Sequence, residues 1–272
     1  MRQIALEFAQ KGIAMDYQTI RLEISDGLAI LTLNRPEKMN ALNTQMRAEI
    51  TFAMRAAAGM ARAIVLTGEG AAFCTGQDLG DAGGSGVPDM ERTLRDEYNP
   101  MLESIYDCPL PTIAAVNGPA AGAGANLALA TDVVIAAQSA YFLQAFTRIG
   151  LMPDAGGTWF LPRQMGLAKA MGAALFADKI SAQQASDWGM IWEAIPDDGF
   201  DAHWRDRAST LAQGPTEAYR AVKKALRASS GNDLAEQLTL EAHLQGKCGQ
   251  TRDFREGVVA FMEKRPAKFE GR

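Results

Sequence analysis

After residue 16 the chain opens with two short alternations of apolar and polar residues. Positions 19–24 and 28–33 each carry the two-residue period of a half-buried strand, and Asp26-Gly27 between them can supply the positive φ values of a tight turn. A β-hairpin is predicted. Asn34-Arg35-Pro36 closes its second strand. The spacing then lengthens: Met46, Ile50 and Met54, separated by polar residues, predict a helix over 43–58. Apolar runs at 63–66, 112–116 and 132–137 read as strands, the first ended by Thr67-Gly68-Glu69-Gly70. A loop rich in Gly and Asp covers 76–88 and is long enough to be functional. Helices are predicted over 96–106, stopped by Pro109 and Pro111, and over 126–130 behind a glycine-rich turn.

Further on the pattern is helical. A helix is expected over 167–177, and Ser181-Ala-Gln-Gln184 has capping-box spacing for a short one that Gly189 ends. After Phe200 helices follow one another, broken at Pro215 and Gly231, and the last, over 253–264, puts Phe254, Val258 and Phe261 on one face. Strand–helix alternation followed by a helical tail predicts an α/β fold with a helical C-terminal part. Residues 1–15 are expected to form an extension that adds little to the fold.

Composition narrows the functions. The 272 residues are 47% hydrophobic and 22% charged, an ordinary globular mix that excludes a disordered chain. A net charge of -5 offers no general attraction for nucleic acid or an anionic membrane, so an anionic ligand needs a local set of donors. No run reads as a membrane span, because Asn117, Pro119, Asn126 and Asp132 interrupt the most apolar stretch, 113–137. Three widely spaced cysteines, Cys74, Cys108 and Cys248, argue against a disulfide framework and fit a reducing cytoplasm. With only His203 and His243 beside them, both expected on solvated helix faces, no metal site is expected.

Three segments could carry chemistry. Phe73-Cys-Thr-Gly-Gln-Asp-Leu79 and the glycine-rich 117–126 both follow strands. Glycine lets backbone approach a ligand, and a turn that opens a helix leaves N–H groups unpaired, suited to a developing oxyanion. Tight strand-to-helix packing is the alternative for each. The third segment, Gly150-Leu-Met-Pro-Asp-Ala-Gly-Gly157, holds an acid that is either a turn former or an acid–base group. Apolar Leu151, Met152, Trp159 and Phe160 around it would raise its pKa. A dinucleotide fingerprint fails, since Leu127 stands where a small residue is needed, and no P-loop is present. Cys74 reads as a small buried hydrophobe.

Taken in order, Asn34-Arg-Pro-Glu-Lys-Met-Asn-Ala-Leu42, Ala72-Phe-Cys-Thr-Gly-Gln-Asp-Leu79, Asn117-Gly-Pro-Ala-Ala-Gly-Ala-Gly124 and the Asp154 segment resemble the crotonase (enoyl-CoA hydratase/isomerase) superfamily. Ile180-Ser-Ala-Gln-Gln-Ala185 and Phe261-Met-Glu-Lys-Arg265 extend the likeness over everything after Asp16. The resemblance implies a spiral of ββα turns over 16–200 and a helical oligomerisation region over 201–272, assembled as a homotrimer or a dimer of trimers. An acyl-CoA thioester would rest between the N–H groups of Gln77 and Ala123, with Thr75, Gly76, Asp78, Leu79, Asn126 and Phe146 around it. Lys38, Phe261 and Lys264 would meet the CoA, the last two from the same or a neighbouring subunit. Coenzyme A being part of the substrate, no cofactor is implied.

Hydratases of this family use two glutamates to activate water, at the positions of Asn126 and Phe146 here. Neither can act as a base, and Asp154 is the carboxylate left. That pattern suits an isomerase, which moves one proton and needs no activated water. The segments 122–129, 153–159 and 188–192 are similar to an isomerase branch acting on ring-derived CoA thioesters. The alternatives are a hydratase with an unrecognised acid and a non-catalytic RNA-binding member, which the acidic balance disfavours.

Overall fold

The computed structural model describes residues 17–80 and 89–272, so the expected extension over 1–15 and most of the 76–88 loop lie outside the described residues. A six-stranded sheet runs in the order β1-β2-β3-β4-β6-β9. Its members are β1 (Ile20–Ser25), β2 (Leu28–Leu33), β3 (Ala63–Gly68), β4 (Thr112–Val116), β6 (Val133–Ala137) and β9 (Glu193–Ile195). The first pair is the predicted hairpin, turning at Asp26 (φ 50°) and Gly27 (φ 77°). Every later pairing is parallel.

A second, shorter layer explains the spiral. β5 (Ala120–Ala121), β7 (Tyr141–Leu143) and β8 (Ile180–Ser181) form a small sheet, which Cys74 joins by bridging Ala120. Leu42 in turn bridges Gln77. Each turn of chain thus sends a long strand to the main sheet and a short extended piece to the second layer. It then returns through a helix: α1 (Thr44–Met60), α2 (Asn99–Tyr106), α3 (Ala123–Leu129) and α4 (Gly157–Phe176). The ββα spiral expected from the resemblance is the observed architecture. Apolar side chains of these strands and of α1, including Leu31, Leu33, Met46, Ile50, Ile64 and Leu66, fill the core without solvent exposure.

Boundaries differ from expectation where local pattern is weak. The 96–106 helix starts earlier, as a turn at Met90–Thr93 and a π-turn at Leu94–Tyr98 before α2. The 126–130 helix begins at Ala123, directly after Gly122. The 167–177 helix belongs to α4, a longer element kinked at Gly166 (φ 77°, ψ 158°). The predicted capping box is present at α5 (Ala182–Asp187).

The tail comprises α6 (Asp197–Gln213), α7 (Thr216–Ala228), α8 (Leu234–Cys248) and α9 (Arg252–Glu263). It docks at the N-terminal ends of the parallel strands. Lys223 of α7 donates to the carbonyls of Cys108 (2.7 Å) and Leu110 (2.6 Å), just before β4, and pairs with Asp132, just before β6. Arg227 reaches the other Asp132 oxygen at 2.7 Å. Arg62, just before β3, donates to Gly214, Thr216 and Phe269. His203 corrects one expectation: it is not simply solvated, because its Nε2 lies 2.7 Å from Glu193 Oε1. Among the described residues no helix is long and apolar enough to cross a membrane.

Candidate active site

The opposite ends of the strands carry the glycine turns. Beyond β3 the chain passes through Thr75–Leu79, and beyond β4 through Asn117–Ala123 into α3. Two close approaches bring these segments together. A Cβ on Gly124 would lie 2.2 Å from the Cys74 carbonyl oxygen, so α3 can pack there only on a bare backbone. Gly76 has φ 90°, and a Cβ there would meet the Ala121 oxygen at 2.9 Å and the Ala123 nitrogen at 3.3 Å. These glycines allow tight packing, and that packing sets the Gly76–Gln77 peptide beside Ala123.

Nearby backbone groups are paired. Leu42 N–H donates to Gly76 O (2.7 Å), Asp78 N–H to Leu42 O (3.0 Å), and Ala121 N–H to Cys74 O (2.9 Å). Gln77 N–H and Ala123 N–H find no acceptor among the described residues, and the latter opens a helix. Two such amide donors in one place can hold a negatively charged oxygen.

Lys38 sits on the 3₁₀ turn Pro36–Lys38, which Thr75 ties down by donating both its N–H and its hydroxyl to Met39 O. Asp78 is a structural acid. The Arg35 guanidinium at 2.8 Å holds its carboxyl below the ordinary aspartate range, and its other oxygen accepts Gly80 N–H. Leu79 stands exposed at the rim. Cys74 is fully buried and its thiol is pushed up to about 12, which removes it as a nucleophile.

Asp154 is different. Burial pushes its carboxyl up to about 6, against a smaller opposing contribution from its own backbone N–H, and no cation offsets the burial. Its expected apolar neighbours are only partly responsible, since Leu151, Met152 and Trp159 are exposed while Phe160 is buried. The turn behind it is tight: Ala155 (φ 47°) and Gly156 (φ 80°) are both left-handed, and Gly157 N–H closes on Asp154 O at 2.8 Å. A left-handed alanine is strained, and here it forms the turn directly after the acid.

Asn126, expected around the thioester, is held by neighbours on both ends of its amide. It is fully buried, donates its Nδ2–H to Asp154 O (2.8 Å) and accepts Gln144 Nε2–H on its Oδ1 (2.9 Å). With both ends of its amide engaged, it is a strut between α3 and the acid's turn. Phe146 lies against the helix start, 3.8 Å from the Cβ position of Gly122. Phe261 and Lys264 are not brought to these residues within one chain. Phe261, 86% exposed, lines a groove of about 900 Å³ among α7, α8 and α9, which none of the other expected site residues lines. Lys264 is the left-handed cap of α9.

Sequence reasoning missed Tyr98 and Arg47. Tyr98 donates its hydroxyl to Gln77 Oε1 (2.6 Å), and Arg47 donates to the same oxygen (3.0 Å). The available signal was an arginine directly beside Met46 at the start of a helix whose buried positions are mostly Met, Ile and Ala.

Comparison with known proteins identifies the family. The family described as enoyl-CoA hydratase/isomerase matches residues 23–272. A Rhodobacter capsulatus protein named "probable enoyl-CoA hydratase" is 66% identical, covering 95% of this chain and 100% of its own. The 1,2-epoxyphenylacetyl-CoA isomerase of Escherichia coli is 43% identical, covering 92% of this chain and 97% of its own. A crystal structure of enoyl-CoA hydratase from Bacillus anthracis superposes with a TM-score of 0.87 at 30% identity, covering 94% of this chain and 100% of that one. The spiral, the paired amides at its glycine turns and these likenesses together make the chain a member of the enoyl-CoA hydratase/isomerase family.

Proposed function

We propose that the protein is an acyl-CoA isomerase in which Asp154 moves one proton while the N–H groups of Gln77 and Ala123 hold the thioester oxygen. On a Δ3-enoyl-CoA, the Asp154 carboxylate takes a proton from C2, the electron pair delocalises onto the thioester oxygen, and the same carboxyl returns the proton to C4. The product is the Δ2 ester. No atom is gained or lost, and no cofactor is consumed. An acid with a pKa near 6 suits both halves of this cycle, since it neither holds nor gives up its proton too strongly near neutral pH. The substrate we favour is 1,2-epoxyphenylacetyl-CoA of phenylacetate catabolism, rearranged to the seven-membered oxepin-CoA, with Δ3–Δ2 isomerisation as a second activity. The likeness to the Escherichia coli isomerase supports this substrate.

The observation that carries the reading is the contrast between Asp154, raised by burial and without a cation, and Asn126 and Phe146, neither of which can activate water. A second reading, hydration of an enoyl-CoA, is favoured by the Rhodobacter relative's name. One assay separates them. Wild type and Asp154→Asn are followed for Δ3-to-Δ2 isomerisation, oxepin-CoA formation and hydration of crotonyl-CoA. The isomerase reading expects the first two in wild type, a loss of about 10²–10⁴-fold in the variant, and little hydration. Rapid hydration, or an active variant, overturns it. The same reading carries a homotrimer or a dimer of trimers, supported by the apolar groove that Phe261 lines and measurable by light scattering.

A further inference from the structure

We propose that Tyr98 and Arg47 form a positioning clamp that sets the angle of the Gln77 peptide, and with it the strength of that N–H as an oxyanion donor; this rests on the reading of the site given above. The Gln77 amide is held from every side but one. Its flanking backbone is pinned to Leu42, which donates to Gly76 O at 2.7 Å and accepts from Asp78 N–H at 3.0 Å. Its side-chain oxygen accepts two donors at once, the Tyr98 hydroxyl at 2.6 Å and Arg47 Nη1 at 3.0 Å. Its side-chain nitrogen donates to Asp78 O at 3.1 Å. Of the two polar groups of the Gly76–Gln77 peptide, the N–H is the one left without a partner among the described residues.

The clamp is itself fixed. Arg47 and Tyr98 are both buried, the guanidinium carbon lies 4.8 Å from the phenol ring centre, and Arg47 also donates to Leu42 O at 2.8 Å. Glu97, the residue before Tyr98, pairs with Arg47 at 2.5 Å. Adjacent residues of one segment therefore anchor the arginine and the glutamine together. Both lie in the π-turn Leu94–Tyr98, an irregularity that helices seldom keep without a functional use. Burying an arginine costs several kcal/mol that a hydrophobic side chain would avoid. Plain packing does not call for it, whereas fixing a polar group to a fraction of an ångström does. Burial also raises the Tyr98 phenol well above its ordinary pKa, so it stays a donor at any working pH.

The test uses acetoacetyl-CoA, a thioester whose enolate absorbs in the near ultraviolet and mimics the charge of the intermediate without turnover. Bound to wild type, its apparent enolisation pKa should fall below the value in buffer. Tyr98→Phe keeps the ring and removes the hydroxyl. It should raise that bound pKa and lower kcat about tenfold, with KM within twofold and a melting temperature lowered by only a few degrees. Gln77→Ala, which keeps the N–H and loses the anchored side chain, should give the same shift, and the double variant no more than either alone. An unshifted enolate pKa in both variants overturns the clamp while leaving the isomerase reading intact. Wild type that fails to lower the pKa at all overturns the oxyanion pair instead. A Tyr98→Phe effect confined to melting temperature reduces Tyr98 to a packing residue and also overturns the clamp.

Discussion

The two ends of the parallel strands are built on opposite principles. At the N-terminal ends charged side chains are matched: Asp132 takes Lys223, Arg227 and the Thr112 N–H, and Arg62 holds three groups of the tail. At the C-terminal ends two backbone N–H groups and one carboxyl are left unmatched among the described residues. The first end secures the fold and the second keeps its potential for a ligand. Open α/β sheets generally bind ligands at the C-terminal ends of their strands, and here the helical tail reinforces that division by closing the other end.

Variants at each end should therefore fail differently. After Asp154→Asn, the largest effect is expected from Ala123→Pro, which deletes one unmatched N–H with a ring suited to the first helical turn. Turnover should drop about 10²–10³-fold, with a melting curve close to wild type. Asp132→Ala, at the other end, should leave kcat per folded molecule unchanged and lower unfolding free energy by about 2 kcal/mol in denaturant titration, since two cations lose their carboxylate. Asn126→Ala sharpens the comparison, because it removes a structural bond at the chemical end. It should lose about 1–2 kcal/mol of stability and roughly tenfold in kcat together, as the turn bearing Asp154 loosens.

The pH response tests the acid itself. With the Asp154 carboxyl at about 6, log kcat/KM should rise with unit slope below that point and level off above it. Stability should respond with the opposite sign. The folded pKa exceeds the ordinary 3.8, so ionisation favours the unfolded chain, and the penalty grows from about pH 4 to 6 and persists above. Asp154→Asn should consequently gain stability over wild type at pH 7 and gain less at pH 4. An equal gain at both would mean that the carboxyl is not held up by its surroundings.

How much of this was legible in the chain depended on the range of the interaction. The hairpin at Asp26-Gly27 and the capping box at Ser181 are local, and both stand where the pattern put them. β5 and β8, two residues each, are too short to show a period, and β7 adds only one more, so the second layer that gathers the glycine turns was visible only through family resemblance. The glycine turns and Asp154 were readable because backbone exposure and an isolated acid leave marks in composition. The clamp of Arg47, Glu97 and Tyr98 was not, because it joins residues 21 to 50 positions apart. His203 escaped for the same reason: its partner, Glu193, lies on a strand that the pattern did not reveal.

The wedge of Asn126 against Gly157 bears on how such a catalyst could change its chemistry over evolutionary time. A Cβ at 157 would sit 2.5 Å from the Asn126 amide nitrogen, and that same nitrogen supports the Asp154 carbonyl. Installing a glutamate at 126 to recruit water would face that carbonyl with an oxygen and displace the acid's own loop. On the proposed reading, a change at 126 alone would therefore disturb the acid before it could recruit water.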